Sequence, residues 1–255
     1  MSRGERVGIE ERYARVCLPM LGVTPRQPGV GTSVRAAPTM LGDDADEVFA
    51  AAAVLYVDGR LAWEGEARGL TYARPGELRI PPAGAPSPPG ALFVYTTREA
   101  HLAGAAPRRK RYEETWAFIV SEDGGEWAVS IPTVPYIGSG KKILDNHYHC
   151  FPGVRLGPEW RTTAYVINPY PDPLEARAWL QSTRGRTVEV LAPCEVGGRS
   201  VRVLELARSP HAGALDLDFA TLVVWGNLKP QGYVAIADAR GRVRAMDHFH
   251  PFWSL

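Results

Sequence analysis

Residues 50–57 read Ala-Ala-Ala-Ala-Val-Leu-Tyr-Val and run directly into Asp58-Gly59. An apolar run of this length that ends in Asp-Gly is typical of a strand entering a tight hairpin turn. Residues 61–64, Leu-Ala-Trp-Glu, are expected to form the returning strand. This stretch therefore predicts β structure from Glu47 onward.

Further apolar or alternating runs follow along the chain, about 8–12 residues apart and separated by turn residues. These predicted strands span 92–97, 115–121, 127–131, 162–168, 174–181, 187–192, 201–206, 221–225, 233–237 and 242–249. Residues 5–17 predict a short amphipathic helix, residues 23–45 are loop-like, and residues 81–90 form a Pro-rich loop. The fold class is therefore predicted to be all-β, with two β-sandwich domains and a short N-terminal helix.

The two halves of the chain contain similar segments, which suggests an internal duplication of a sandwich of roughly 100 residues. The similar pairs are Ala91–Tyr95 with Ala220–Trp225, and Trp116–Gly124 with Tyr233–Gly241. The tandem domains would be residues 1–138, with a helical and loop lead-in, and residues 139–255. Chance similarity between apolar strands is the alternative.

Composition narrows the classes of partner. The 255 residues include 29 Lys and Arg against 28 Asp and Glu, so neither nucleic acid nor a membrane is expected as a partner. Three widely spaced cysteines, Cys17, Cys150 and Cys194, indicate reduced thiols rather than a disulfide framework. The charged start lacks the apolar core of a signal peptide, and no apolar run approaches the roughly 20 residues of a membrane span. A cytoplasmic location is expected.

Four of the six histidines occupy two similar segments. Residues 140–151 read Gly-Lys-Lys-Ile-Leu-Asp-Asn-His-Tyr-His-Cys-Phe, and residues 241–252 read Gly-Arg-Val-Arg-Ala-Met-Asp-His-Phe-His-Pro-Phe. If each segment is a strand, His147 and His149 share one face, as do His248 and His250, and the intervening aromatic faces the core. This match pairs Gly140 with Gly241, whereas the strand match above pairs Gly124 with Gly241. Both matches cannot reflect the same duplication.

Two imidazoles at positions i and i+2 of a strand are well placed to bind Zn, Fe or Cu. Asp145 falls on the same face as His147 and His149, so the first segment offers three ligands, whereas Asp247 needs a bulge to join the second pair. Either aspartate could act as a further ligand or as a general base. The alternative is that the histidines are structural, because no Glu follows either pair to complete a cupin-type pattern.

Other catalytic signals are weak. The chain lacks Gly-x-Ser-x-Gly, a dinucleotide-binding fingerprint and Cys-x-x-Cys. Gly138–Lys142 fails the phosphate-loop pattern, and Arg108–Arg111 is typical of a solvated loop. Cys150 would point away from His149 in a regular strand, which disfavours a Cys-His nucleophile pair. The sequence leaves open whether the protein is an enzyme.

The candidate ligand-binding residues are Trp179 and Arg177. They share an alternating face opposite Ala178, so Trp179 is expected to be partly exposed. Other aromatic residues could line a groove for a sugar or another flat ligand, or could fill a sandwich core. These residues are Trp160, Trp225, Tyr233 and Trp253.

Four segments of the second half follow one another in a distinctive order. They are Thr-Thr-Ala-Tyr-Val-Ile-Asn at 162–168, Val-Glu-Val-Leu-Ala-Pro at 188–193, Ser-Val-Arg-Val at 200–203 and Phe-Ala-Thr-Leu-Val-Val at 219–224. In this order, from His147 to Arg240, the chain resembles the sensory rhodopsin transducer family. The resemblance implies a small, oligomeric β-sandwich that binds partners or small ligands. It covers less than half of the chain, and both the N-terminal half and the C-terminal histidine motif depart from the family pattern.

Two hypotheses follow. In the first, the chain is a non-catalytic β-sandwich protein that binds a small molecule or a protein partner and forms a homo-oligomer, since exposed edge strands pair readily. In the second, it is a metal-dependent hydrolytic or oxidative enzyme that uses the His-x-His ligands. Whether the histidine pairs lie in one cleft distinguishes the two hypotheses.

Overall fold

The computed structural model describes residues 8–24, 28–29, 31–38, 47–71, 73–104, 115–123, 126–130, 148–182, 184–206 and 219–251. Within these ranges it describes the backbone alone for residues 37–38, 115–123, 126–130, 219 and 250–251. Most of the described residues are in strands, and the two helices among them are short: α1 at Ile9–Ala14 and α2 at Glu99–Leu102. The predicted all-β fold with a short helix near its N-terminus is confirmed. No helix in the described ranges is long and apolar enough to cross a membrane.

The described strands of the first half form two antiparallel sheets. Their bounds are β1 Met20–Thr24, β2 Gly31–Pro38, β3 Phe49–Val57, β4 Arg60–Leu70, β5 Gly76–Ile80, β6 Gly90–Arg98, β7 Thr115–Asp123 and β8 Glu126–Ser130. Sheet 1 has the order β5-β2-β7-β8, and sheet 2 has the order β1-β6-β3-β4. The predicted β3–β4 hairpin is present, and its turn has positive φ at Asp58 (47°) and Gly59 (74°), as a two-residue hairpin turn requires.

The described strands of the second half form two more antiparallel sheets. Their bounds are β9 Tyr148–Arg155, β10 Trp160–Ile167, β11 Leu174–Gln181, β12 Thr187–Val196, β13 Val201–Glu205, β14 Phe219–Gly226, β15 Gln231–Asp238, β16 Val243–His248 and β17 His250–Pro251. Sheet 3 has the order β13-β10-β15-β16, and sheet 4 has the order β12-β11-β14-β9-β17.

The prediction that residues 23–45 are loop-like is wrong for β2. This strand lies inside sheet 1, paired with β5 on one side and β7 on the other. Its local sequence is mostly small or polar, and Thr32 and Ser33 are buried along with Val34. The hydrogen bonds and packing of its two neighbours, rather than its own hydrophobic pattern, therefore decide its conformation.

Both halves have the same strand order. Sheet 1 becomes sheet 3 when β2, β5, β7 and β8 are replaced by β10, β13, β15 and β16, and the strands of sheet 2 correspond likewise to β9, β14, β11 and β12. The strand match of the sequence, which aligns β6 with β14 and β7 with β15, fits this order. The histidine match would instead align the start of β9 with Phe249 and β17, and the shared strand order does not place these two strands at corresponding positions. The predicted domain boundary at residue 138 lies outside the described residues.

Four apolar clusters hold the described parts of the four sheets together. Sheets 1 and 2 enclose two of them, one that includes Val34 and Leu92 and a smaller one that includes Ala36 and Leu70. Sheets 3 and 4 enclose another, which includes Val166 and Leu222. The fourth lies between the halves, where helix α1 and the outer face of sheet 2 meet Ile167 of sheet 3 and its neighbours. The strands β3 and β6 are therefore buried on both faces, which explains their nearly continuous apolar sequence.

Candidate functional site

The described end of the first histidine segment, Tyr148 to Phe151, forms the start of β9, but its faces are the reverse of those predicted. His149 is 1% exposed and shares the inner face of sheet 4 with Phe151, because their partners on β14 are the core residues Val224 and Leu222. Tyr148, expected in the core, is on the outer face. Strand alternation was predicted correctly, but the pairing with β14 places the histidine inside the sandwich.

The second histidine segment crosses from one sheet to the other. His248 ends β16 in sheet 3, and His250 begins β17 in sheet 4, so the two histidines do not belong to one strand. Phe249 lies at the crossing, is 2% exposed and packs in the core, as predicted for the aromatic of this segment. The Nδ1 atom of His248 is 2.8 Å from Oδ1 of Asp247, so the nearest acid engages this imidazole directly.

The two segments meet through their backbones at one edge of sheet 4. His250 is paired with Cys150, and Pro251 is paired with His149. His248 pairs with Tyr233 on the far face of sheet 3, so that sheet separates His248 from His149 inside the sandwich. Among the described residues, no three metal-ligating side chains come together. The predicted ligands His147 and Asp145, and the side chain of His250, lie outside the described set.

The outer face of sheet 4 gathers a cation and three aromatic rings from three neighbouring strands. The guanidinium carbon of Arg177 lies 4.9 Å from the ring centroid of Trp225 and 5.6 Å from that of Trp179. The ring of Tyr148 meets Trp179 edge-on, with centroids 5.9 Å apart. All four side chains are partly exposed, including Trp179. We call these four residues the aromatic–arginine face.

Arg177 forms no ion pair within the described part of the chain, although Glu175, Glu189 and Glu195 are exposed on the same face of sheet 4. It forms cation–π contacts there, but neither a hydrogen bond nor an ion pair, and its Nε atom is buried with no acceptor. Aromatic rings attract a cation, yet they do not replace the in-plane acceptors that the five N–H groups of a guanidinium normally engage. A carboxylate best matches a guanidinium, because its two oxygens can accept two parallel N–H bonds.

A second arginine–aromatic cluster lies between the halves, and sequence reasoning missed it. Arg199, from the turn before β13, lies 4.6 Å from the ring centroid of Tyr56 and 5.8 Å from that of Phe93, both on the outer face of sheet 2. Its charge is paired: Nη1 of Arg199 donates to Oε2 of Glu10 in helix α1 at 2.8 Å. The available signal was the apolar character of β3 and β6 on both faces, which requires a covering layer.

Glu10 also accepts hydrogen bonds from two tyrosines. The Tyr56 hydroxyl bonds to Oε2, and the Tyr95 hydroxyl bonds to Oε1 at 3.1 Å. Burial, and then the hydrogen bond to Glu10, raises the pKa of Tyr56 to about 12. Burial and the charge of Glu10 likewise raise the pKa of Tyr95. The carboxylate therefore joins helix α1, sheet 2 and the Arg199 turn.

The same helix is fixed to β4 by a second carboxylate. Glu66 accepts from the Tyr13 hydroxyl at 2.8 Å and from Nη2 of Arg12 at 2.7 Å. Burial acts to raise the pKa of Glu66, but hydrogen bonds from Arg68 and Tyr13 outweigh it and lower that pKa. Two carboxylates thus fix helix α1 to the outer face of sheet 2, although the helix has only six residues.

The remaining predicted residues that the structure describes do not belong to the aromatic–arginine face. Tyr233 is fully buried between the halves and donates to the carbonyl oxygen of Leu21 at 2.5 Å, so it does not line a groove. Trp160 lies 5.7 Å from the guanidinium carbon of Arg155 at the end of β9, and it packs against the core between sheets 3 and 4. Burial raises the pKa of Cys150, which is the opposite of what a nucleophilic thiol needs. Trp253 is outside the described residues.

Comparisons with known proteins leave the family open. No protein-family model matches the chain, and no curated protein matches it. Among solved structures, an anti-sigma factor domain-containing protein has a TM-score of 0.23 at 8% identity, with 88% of this chain and 80% of that chain covered. The structure of infectious bursal disease virus Gt strain has a TM-score of 0.18 at 8% identity, with 92% and 55% covered. Similarity at this level carries no argument about function.

Proposed function

We propose that the protein is a non-catalytic, self-associating binding protein whose ligand or partner surface is the aromatic–arginine face. The observation that carries this proposal is the position of Arg177 over the rings of Trp179 and Trp225 on a partly exposed sheet face. Partly exposed aromatic and arginine side chains are the residues that contribute most to binding energy at interfaces. The sequence resemblance to the sensory rhodopsin transducer family agrees with a binding role for the second half.

Self-association has a separate structural basis. Sheet 4 ends in β12 on one side and in the two-residue strand β17 on the other. Edge strands present backbone groups that can pair with another chain. Sedimentation velocity over a range of protein concentrations tests this part of the proposal, and a monomer at every concentration would contradict it.

Ligand-observed NMR tests the binding surface. Saccharides, nucleosides and short peptides would be screened by saturation transfer with the full chain, and each hit repeated with Trp179→Ala. Arg155→Ala is the matched control, since Arg155 lies at the opposite end of β9 from Tyr148, over Trp160 in a similar cation–π pair. We expect a hit that the control retains and Trp179→Ala loses. A hit unaffected by Trp179→Ala, or no hit in any class, contradicts the proposal.

A metal-dependent enzyme is the second candidate, and one observation favours it. The pairing of β17 with β9 sets the backbones of His250 and Cys150 side by side, so the two histidine segments are neighbours at one sheet edge. Zn, Fe and Cu in the purified protein would be measured by mass spectrometry beside a His147→Ala/His250→Ala variant. Near-stoichiometric metal that the variant lacks would support this candidate, whereas metal at background level would exclude it.

A further inference from the structure

The outer face of sheet 4 carries charged groups of both signs around its aromatic rings. Arg177 lies over Trp225 and Trp179, and it forms no ion pair among the described residues. Three exposed carboxylates share this face and likewise form no ion pair with any residue that the structure describes: Glu175, Glu189 and Glu195. The face therefore presents a cation and several anions that do not neutralise one another within the sheet.

The pairing of β11 with β12 explains why these charges stay apart. The register of the two strands shifts beside Arg177, so the residues of β12 that pass this arginine are Ala192 and Pro193 rather than an acid. The glutamates of β12 lie on either side of this uncharged pair. The guanidinium itself lies closest to the ring of Trp225 on β14, which is on the side of β11 away from β12.

A partner of a single charge sign meets like charge on this face. An acidic segment would lie against the three glutamates, and a basic segment would lie against Arg177. A second copy of the chain presents both signs at once. A two-fold interface joins a surface to its own equivalent and makes each contact reciprocal, so every pairing of the arginine with an acid occurs twice.

We propose that the aromatic–arginine face is the contact between two copies of the chain, in which Arg177 of each copy pairs with a glutamate of the other. This inference rests on the proposed function and identifies the partner. A two-fold axis that crosses β11 at Ala176 sets each Arg177 opposite the partner's Glu175, because alternate residues of a strand are about 6.6 Å apart. Trp225 and Tyr148, in the same row as Arg177, then lie between the two sheets.

The size of the face predicts a weak, reversible dimer. Its four longer strands have eight to ten residues each. At the usual strand spacing and rise, the face measures roughly 20 Å by 26 Å, or about 500 Å² per copy. Two such faces are at the lower end of the areas that specific complexes bury. A ligand on this face competes with the second copy, so we expect ligands to bind best below the dissociation constant of the dimer.

Pairing through the edges of sheet 4 is the alternative route to a dimer. One edge is β12, where Pro193 lacks a backbone N–H and the register is irregular, and both features disfavour a continuous ladder. The other edge is β17, which has two residues. The outer face therefore offers the larger contact.

Charge reversal followed by mixing tests the inference. Sedimentation velocity of the full chain would give the dissociation constant of the dimer, and we expect Arg177→Glu to raise it at least tenfold because like charges then meet. Arg161→Glu should change it less than twofold, since Arg161 is exposed on β10 of sheet 3. An equimolar mixture of Arg177→Glu with Glu175→Arg should restore the dimer. A mixture with Glu64→Arg should not, because Glu64 is exposed on β4 of the first half.

The remaining outcomes separate this inference from the proposed function. Rescue by Glu189→Arg or Glu195→Arg, in place of Glu175→Arg, would support the same interface with a different two-fold axis, whereas no rescue by any of the three would overturn it. Self-association that Arg177→Glu leaves unchanged would also overturn it, and edge pairing would then account for the proposed self-association. A monomer at every concentration would remove both. Ligand binding that Trp179→Ala abolishes while the dimer persists would keep the binding face but exclude a second copy from it.

Discussion

The outer faces of sheet 2 and sheet 4 occupy corresponding positions in two sandwiches with the same strand order, but they differ in burial. On sheet 2, Phe93 and Tyr56 are 3% and 7% exposed beneath helix α1 and the turn that carries Arg199. On sheet 4, Trp179 and Trp225 remain partly exposed around Arg177. The arginine of the first face belongs to the other half of the chain, whereas the arginine of the second face belongs to the sheet itself.

This difference follows from where each arginine comes from. Arg199 reaches sheet 2 from outside and becomes part of a network with Glu10, Tyr56 and Tyr95, so its charge stabilises the contact between the halves. Arg177 sits within its own sheet and forms no ion pair among the described residues. The first face is a completed internal interface. The second face stays partly exposed, and we propose it as the binding surface.

The largest expected loss of stability comes from a substitution in the turn that carries Arg199. A Cβ atom at Gly198 would lie 1.8 Å from the carbonyl oxygen of Pro171, a backbone atom that cannot move aside alone. We therefore expect Gly198→Ala to lower the free energy of unfolding by about 3 kcal/mol or more. Urea denaturation of the variant measures it. Gly84→Ala is the control, because nothing lies within 4 Å of its added Cβ. Equal stabilities of the two variants would show that this turn can relax.

The next largest loss of stability is expected when the carboxylate of Glu10, which lies between the halves, is removed. Glu10→Gln keeps the shape of the side chain but leaves Arg199, whose side chain is 31% exposed, without a counter-charge. We expect a loss of about 1–2 kcal/mol in the free energy of unfolding. Glu11→Gln is a matched control, since Glu11 pairs with Arg15 while both side chains are over 60% exposed, and such pairs contribute at most about 0.5 kcal/mol.

A double-mutant cycle isolates the interaction between Glu10 and Arg199. If the effects of Glu10→Gln and Arg199→Ala simply add, the two residues do not act on each other. The cluster would then be held by its aromatic contacts and by the tyrosine hydrogen bonds to Glu10.

Sequence reasoning found the strands but not the surfaces that meet. The alternation of Ala176 and Ala178 with Arg177 and Trp179 identified an outward face correctly, because small apolar residues alternate there with large polar ones. The same rule failed at β9, where Tyr148 and His149 are both amphipathic and only the partner Val224 decides which is buried. Local periodicity gives two faces but does not say which of two ambiguous faces is covered.

The candidate site depended even more on distant residues. Arg177 meets Trp225, 48 residues further along the chain, only because β11 pairs with β14 in a register that places the two residues opposite each other. The contact of Arg199 with Glu10 joins positions 189 residues apart. Such contacts follow from sheet order and from the packing of the halves, and no spacing in the sequence encodes them.

The tyrosines of the internal interface predict how stability depends on pH. The pKa of Tyr56 is raised from 10.0 to about 12 in the folded protein, so folding favours its protonated form. This contribution to stability is full below pH 10 and is lost as the pH rises towards 12. We expect the free energy of unfolding, measured in urea, to fall across that window. Tyr56→Phe should be less stable at pH 9 but should show a shallower decline, whereas an unchanged slope would mean that Tyr56 does not titrate with folding.

The smallest expected effect on stability is that of Arg177→Ala. Each cation–π contact of Arg177 contributes about 0.5–1 kcal/mol, but burying a charge without a described anion offsets this gain. We therefore expect the free energy of unfolding to change by less than about 1 kcal/mol, well below the effect of removing Glu10. Urea denaturation of the two variants side by side measures the contrast. A loss of about 2 kcal/mol or more at Arg177 would mean that this arginine already holds its own sandwich together. Its face would then resemble the internal one in being complete, and we would no longer propose it as the binding surface.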